Sequence, residues 1–578
     1  MDFRSWFPAS PLQKIILLLG VCLLYIFLNL AFNRFAPPVQ VSLDNTSSGF
    51  SASRALDTTR EFVTQFPKRL FGSLESRQAT GYLTDKLTAL GYETEYIHFD
   101  GRIGGAQRAG RNVLAYKQGE TDEIIAVTAY FDTARPTVRG AAKNGAAVGV
   151  LMELAELFSA KTTHRSLLLA FTDGGEWGAA GAKDIAANYE KKDRIAVVLT
   201  LDYVAPGELA GFRLDTIGQL SGFSTPTGIV KLAEDVIKEQ TPNIPVESNG
   251  LGLPEKAFRI SASEQGSFLK MGIPAINLGS FSTDSQREKA ILYSHEDTFE
   301  NLKVETIDKY GRVAEQIVRS LDAAPTIPSL SKKADGIVSG TVSGACSCFL
   351  ILMCLSMFWI ITNSRKTLNF TQAARELLAF FAAWIPFLIL FSGIRLAYAA
   401  RQFPFYDLYP AIAKDPVMQN PPWKVFIIIA AGVLFAAIVV WIIARYFLME
   451  WVKPDYRNSC AVLCGILGIT AFLSAVYNPV WGVVFFAAPL VLLPMPQACK
   501  SVKPNIVKKI FYIAYIAVAA VPACVAFWWL ASRLGFGWNF FWYQALALTT
   551  GLFSPAAYFM GTAVIAVGIR FAVTSFRH

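Results

Sequence analysis

Hydrophobic and polar positions divide the chain into two regimes. Three short runs, 123–129, 166–172 and 195–201, are rich in Ile, Val, Leu and Ala, the pattern of strands buried on both faces of a parallel sheet. Between the first two, 146–158 repeats apolar side chains at helical spacing, and 178–189 reads as a second helix. This alternation predicts an α/β domain with a mostly parallel, twisted sheet over roughly 55–325.

Elsewhere the apolar runs are longer and uninterrupted. The run 15–32 follows Arg4 and Lys14 and lacks a small-residue cleavage site, so it reads as a retained signal anchor. A helix needs about 20 apolar residues to cross a bilayer. Further spans are expected near 342–361, 376–400, 425–448, 459–476, 480–496, 510–530 and 545–570. The division is therefore 1–35, tail and first span; 36–330, soluble domain; and 331–578, an all-α bundle of about seven spans.

Basic residues orient these spans. With the N-terminus cytoplasmic, the inner ends carry Arg365, Lys366, Arg375, Lys453, Arg457, Lys500, Lys503, Lys508, Lys509, Arg570 and Arg577, while the outer loops carry only Arg401, Lys414, Lys424 and Arg533. By the positive-inside rule both termini face the cytoplasm and the soluble domain is extracytoplasmic. The net charge of +9 comes largely from these clusters, so it does not point to nucleic acid. All eight cysteines lie in or beside expected spans, and none in the soluble domain, which excludes a disulfide framework there. Prolines 386, 489, 494, 522 and 555 interrupt the spans and suit a groove between helices. Trp384, Trp423, Trp481, Trp528, Trp529, Trp538 and Trp542 suit interface belts. Arg395, near the outer end of its span, is placed to reach lipid headgroups.

Candidate chemistry sits at the carboxyl ends of the expected strands, where open α/β sheets bind ligands. The blocks are Tyr130-Phe131-Asp132-Thr133, Lys143-Asn144-Gly145, Asp173-Gly174-Gly175-Glu176-Trp177-Gly178, Leu201-Asp202-Tyr203 and Tyr293-Ser294-His295-Glu296-Asp297, with Ser263-Glu264-Gln265 before Gly272-Ile273-Pro274. Their order resembles the zinc aminopeptidase and glutaminyl cyclase family. That resemblance implies a two-zinc site in which Tyr130 stands for a ligand His, Lys143 for the bridging Asp and Gly175 for the base Glu, while Glu176, Asp202 and His295 match ligand positions and Asp132 keeps its place in the first block.

The departures decide the chemistry. An ammonium about 4 Å from a divalent ion costs roughly 8 kcal/mol at an effective dielectric near 20, so two zincs are not expected. Either no metal binds and Lys143 serves as a built-in cation for Glu176 and Asp202, or one zinc is held by Glu176, His295 and Asp202. A missing base alone removes about 10²–10⁴-fold of rate. Tyr130 either fills the former metal cavity or takes part in chemistry.

The order of parts, one span, a peptidase-like domain and about seven spans, resembles the glycosylphosphatidylinositol (GPI)-anchor attachment protein family, a subunit of GPI transamidase. That implies a non-catalytic role, binding a GPI-like or other membrane lipid, a polypeptide substrate and other subunits of a membrane complex, in the endoplasmic reticulum membrane of a eukaryote or a bacterial plasma membrane. The other class is a membrane metallopeptidase or single-metal aminoacyl-transfer enzyme, carried by Glu176, Asp202 and His295.

Overall fold

The computed structural model describes residues 48–330 except 104–105, 219–222, 249–260 and 262, then 370–402, 420–443, 536–549, 555–577 and isolated positions between them. The expected spans 15–32, 342–361 and 480–496, and most of 459–476 and 510–530, lie outside the described residues.

Eight strands form one sheet: β1 Glu93–Ile103, β2 Ala106–Lys117, β3 Thr121–Tyr130, β4 Arg165–Thr172, β5 Ile195–Leu201, β6 Leu209–Asp215, β7 Val246–Ser248 and β8 Ala275–Ser282, in the order β1-β2-β4-β3-β5-β8-β6-β7. The centre, β4-β3-β5-β8, is parallel throughout. Antiparallel pairings β1 with β2, β2 with β4 and β6 with β8 flank it, and β6 pairs with β7 in parallel, so the sheet is mixed with four of its seven pairings parallel. Its central strands are apolar because helices cover both faces: every residue of β4 is buried.

On one face lie α1 Ala52–Gln65, α3 Ala146–Ser159 and α8 Val304–Ala323, all contributing to the larger core. Helix α1 starts at Ser51, whose side chain accepts from the Arg54 amide. Helices α1 and α3 cross so closely that a Cβ at Gly149 would stand 2.0 Å from Thr59 Oγ1. The opposite face is covered by α4 Ala180–Asn188 and α6 Gln265–Lys270. The other described helices of this domain are α2 Leu74–Ala89, α5 Thr227–Gln240 and α7 Ser285–Ile291.

Toward the C-terminus the described helices are α9 Phe370–Ala399, α10 Trp423–Ile443, α11 Phe540–Thr549 and α12 Pro555–Arg577. Within α9, the 27 residues Ala373–Ala399 contain an 18-residue stretch of mean hydropathy 2.3 and are long and apolar enough to cross a membrane. Among the described residues no other helix meets that test; Trp423–Ala436 and Tyr558–Val567 are shorter apolar stretches. The expected span 545–570 is divided between α11 and α12.

Helices α9 and α12 run antiparallel. Arg570 donates to Glu376 Oε1 through Nε at 3.0 Å and through its terminal nitrogen at 2.7 Å, and Trp384 Nε1 donates to Thr562 Oγ1 at 3.0 Å. Trp384 is thus spent on a helix contact and Trp542 is fully buried, so neither belongs to an interface belt. Arg395 is exposed on α9.

Candidate functional site

The parallel order places the ends of β3, β4 and β5 side by side, so Tyr130, the turn 173–177 and Asp202 emerge from one edge of the sheet. Lys143 arrives from the π-helical turn Ala141–Gly145 that leads into α3. The Lys143 ammonium donates to Asp202 Oδ1 at 3.2 Å. The Tyr130 hydroxyl donates to the same oxygen at 3.0 Å, and Ser263 Oγ donates to Asp202 Oδ2 at 3.0 Å. Both Asp202 oxygens therefore face hydrogen-bearing neighbours.

Electrostatics follow from this packing. Burial pushes the Asp202 carboxyl up, but Lys143 and the donors outweigh it and leave it below the usual carboxylate value. Burial pulls the Lys143 ammonium down, yet Asp202, Tyr293 and Glu176 more than reverse this and hold it charged. The Lys143 ammonium lies 5.2 Å from the Tyr130 ring centroid and 5.7 Å from that of Tyr293, within cation–π range. Glu176 is pushed up to about 7, chiefly by burial, with Lys143 opposing. Its Oε1 is buried with no hydrogen-bond partner among the described residues.

Gly175 explains Tyr130. A Cβ at Gly175 would stand 2.2 Å from Tyr130 Cγ, so no residue larger than glycine fits at 175 while the phenol ring is there. Gly175 and the Tyr130 ring are one steric unit.

Asp132 lies behind this layer. It accepts from the Gly175 amide at 2.6 Å and the Glu176 amide at 3.3 Å, clamping the turn that carries Glu176. Burial, with Asp173 and Glu176 nearby, drives its carboxyl well above the usual range.

His295, expected beside Glu176 and Asp202, is exposed. Tyr293, two residues earlier and in the left-handed region at φ 58°, is the residue of that block that reaches the site. Its phenol is shifted upward, first by burial and then by Glu176. Asp297 of the same block is structural: its carboxylate accepts the Ala142 amide at 2.7 Å and the Lys143 amide at 3.2 Å, fixing the π-turn.

Two residues support the site from behind: Arg69, which lies in none of the sequence blocks, and Glu264 of the Ser263–Gln265 block. Arg69 is fully buried and donates to the carbonyls of Phe131, Phe66 and Arg139 and to Asn144 Oδ1, at 2.7–3.0 Å. Burial pulls its pKa down to about 10. Glu264, also buried, accepts from Thr128 Oγ1 at 2.7 Å and from Thr172 Oγ1. Only its neighbour Ser263 reaches Asp202. Nothing local in the sequence distinguishes Arg69 from a surface arginine.

This donor set does not fit zinc. An ammonium and a phenol occupy Asp202 Oδ1, a hydroxyl occupies Oδ2, and the expected imidazole of His295 is exposed. Among the described residues no group of three or more His, Cys, Asp or Glu is arranged to hold a metal. What the site offers is a fixed cation, two phenols and a carboxyl that titrates near neutrality.

Residues 112–318 match the sequence model of Peptidase family M28. The alkaline phosphatase isozyme conversion protein of Escherichia coli (strain K12) is 26% identical over 201 residues, covering 30% of this chain and 56% of that protein. Transferrin receptor protein 2 of Mus musculus is 25% identical over 292 residues, covering 46% of this chain and 33% of the receptor. The chain thus spans between a third and somewhat over half of the length of these curated relatives. Among solved structures, Porphyromonas gingivalis glutaminyl cyclase has 16% identity and a TM-score of 0.41, covering 47% of this chain and 99% of its own. The zinc aminopeptidase BSAP of Bacillus subtilis has 14% identity and a TM-score of 0.41, covering 51% and 99%. The matched stretch, residues 112–318, lies within the α/β domain and contains Tyr130, Lys143, Glu176 and Asp202 of the site described.

Proposed function

We propose that the α/β domain is a non-hydrolytic binding module, carried by a multi-span membrane half, that holds a polypeptide or lipid-linked partner. The observation that carries this reading is the Lys143 ammonium 3.2 Å from Asp202 Oδ1, with the Tyr130 ring filling the volume a base would need. A fixed internal cation substitutes for metal charge but supplies neither a bound hydroxide nor a Lewis acid. The likeness to a protein named as a receptor is consistent with binding without hydrolysis.

In the same reading the order of parts, which resembles the GPI-anchor attachment family, makes the chain a subunit of a membrane complex that presents a lipid-linked substrate, with the soluble domain extracytoplasmic. The test is turnover of aminoacyl and peptide substrates by the purified full chain, with and without zinc. The expected result is no zinc-dependent turnover and no difference between wild type and Glu176→Ala. Zinc-stimulated turnover abolished by Glu176→Ala, with the fold intact, makes the chain a metallopeptidase instead.

A further inference from the structure

Trp177 directly follows Glu176 and lies under Arg135, whose guanidinium carbon is 5.5 Å from its ring centroid. Trp177 and Phe71 are buried in one continuous apolar cluster with Phe536, Phe540, Trp542 and Tyr543, which belong to α11 and the segment before it. Packed against the same cluster are Ile394 and Tyr398 at the end of α9, Val425 and Phe426 at the start of α10, and Tyr558 at the start of α12. The peptidase-type domain is therefore seated on one end of these helices, by the wall that carries Glu176.

That end has the chemistry of a membrane interface. Trp423, Trp528, Trp538 and Phe541 are exposed there, Trp538 to 75%. Trp528 and Trp538 meet edge to face at 6.4 Å, and Trp423 leads through Phe426, at 5.7 Å, to the buried Trp542, at 5.9 Å. Below this collar α9 and α10 turn Leu378, Ile389, Ile427, Ile428, Leu434 and Phe435 outward. The Glu376–Arg570 pair lies 18 residues from Ile394 along α9, about 27 Å at helical rise, close to the thickness of a bilayer's hydrocarbon core. Aromatic rings at one boundary and a hydrogen-bonded charge pair at the other match the two interfaces of a membrane.

We propose that this aromatic collar rests in the headgroup layer of a bilayer and holds the rim of the candidate site at that level, beside the membrane surface. The proposal rests on the membrane-spanning reading of α9, α10 and α12, but not on the absence of hydrolysis.

The full chain, in nanodiscs of phosphatidylcholine with phosphatidylglycerol and with native cysteines replaced by serine, is spin-labelled at Arg135→Cys. Oxygen and nickel-chelate accessibilities are expected to place the label at headgroup depth; a bulk-water value overturns the proposal. Separately, a photoreactive phenylalanine at position 540 is expected to crosslink to the peptides containing Phe71 or Trp177. Crosslinks confined to 531–577 overturn it as well. Zinc-dependent turnover would refute the non-hydrolytic reading and leave both measurements untouched.

Discussion

Replacing Lys143 by Met removes the cation that organises the site and leaves Asp202 almost buried with two hydroxyl donors. At 3.2 Å the ammonium and carboxylate attract by about 5 kcal/mol at an effective dielectric of 20, and deleting one partner of such a pair typically costs about 3–5 kcal/mol. The pair is only 14% and 13% exposed, so solvent screening reduces this little. For a domain of this size the apparent Tm should fall by on the order of 10 °C, read by thermal unfolding of the full chain in detergent. The pH dependence identifies the cause. In the wild type Asp202 lies below its ordinary value of 3.8, so its contribution is present above that pH and is lost on acidification. Without Lys143, burial dominates and the folded pKa rises above 3.8; the native state then holds a proton and loses stability as pH rises through the new value. The gap between wild type and Lys143→Met should therefore widen as pH rises above 3.8, and Asp202→Asn in the Met background, which removes the unpaired buried charge, should recover about 2 kcal/mol. A gap under 1 kcal/mol, or one independent of pH, refutes the internal-cation reading.

Gly175→Ala should cost about 1–3 kcal/mol by overpacking against Tyr130, and much of this should vanish in a Tyr130→Ala background, measured as a double-mutant cycle in thermal stability. Glu176, held at about 7 against an ordinary 4.5, contributes stability that is complete below 4.5 and is lost as pH rises through 7; Glu176→Gln should flatten the wild-type stability profile between about pH 5 and 8. Asp297→Ala frees the two amides it binds and should cost about 2 kcal/mol, with faster hydrogen exchange confined to 141–145. Arg69→Met leaves three carbonyls and Asn144 Oδ1 short of donors and should destabilise by about 3–5 kcal/mol, with His295→Ala as a near-neutral control in the same melt.

The central strands could be read directly because burial on both faces removes polar residues, and the predicted runs 123–129, 166–172 and 195–201 fall within β3, β4 and β5. The flanks escaped notice for the opposite reason. Strand β2 begins with four exposed residues and β7 has three in all, so neither shows a period. The site was legible in its blocks but not in its register. Within one loop, Tyr293 and His295 differ by two positions, and chain direction after a left-handed residue decides which turns inward. Lys143 carries its meaning in its charge, whereas Arg69 and Asp297 act through backbone groups that no side-chain pattern displays.

The contact between Gly175 and the Tyr130 ring also constrains the order in which this domain can change. A glutamate at 175 alone forces a side chain into an occupied volume. A metal-ligand side chain at 130 alone vacates the ring's space but leaves Lys143 facing whatever ion arrives. Building zinc ligation into this site by substitution therefore takes changes at 130, 143 and 175 together, with 130 before 175, and no single exchange supplies it.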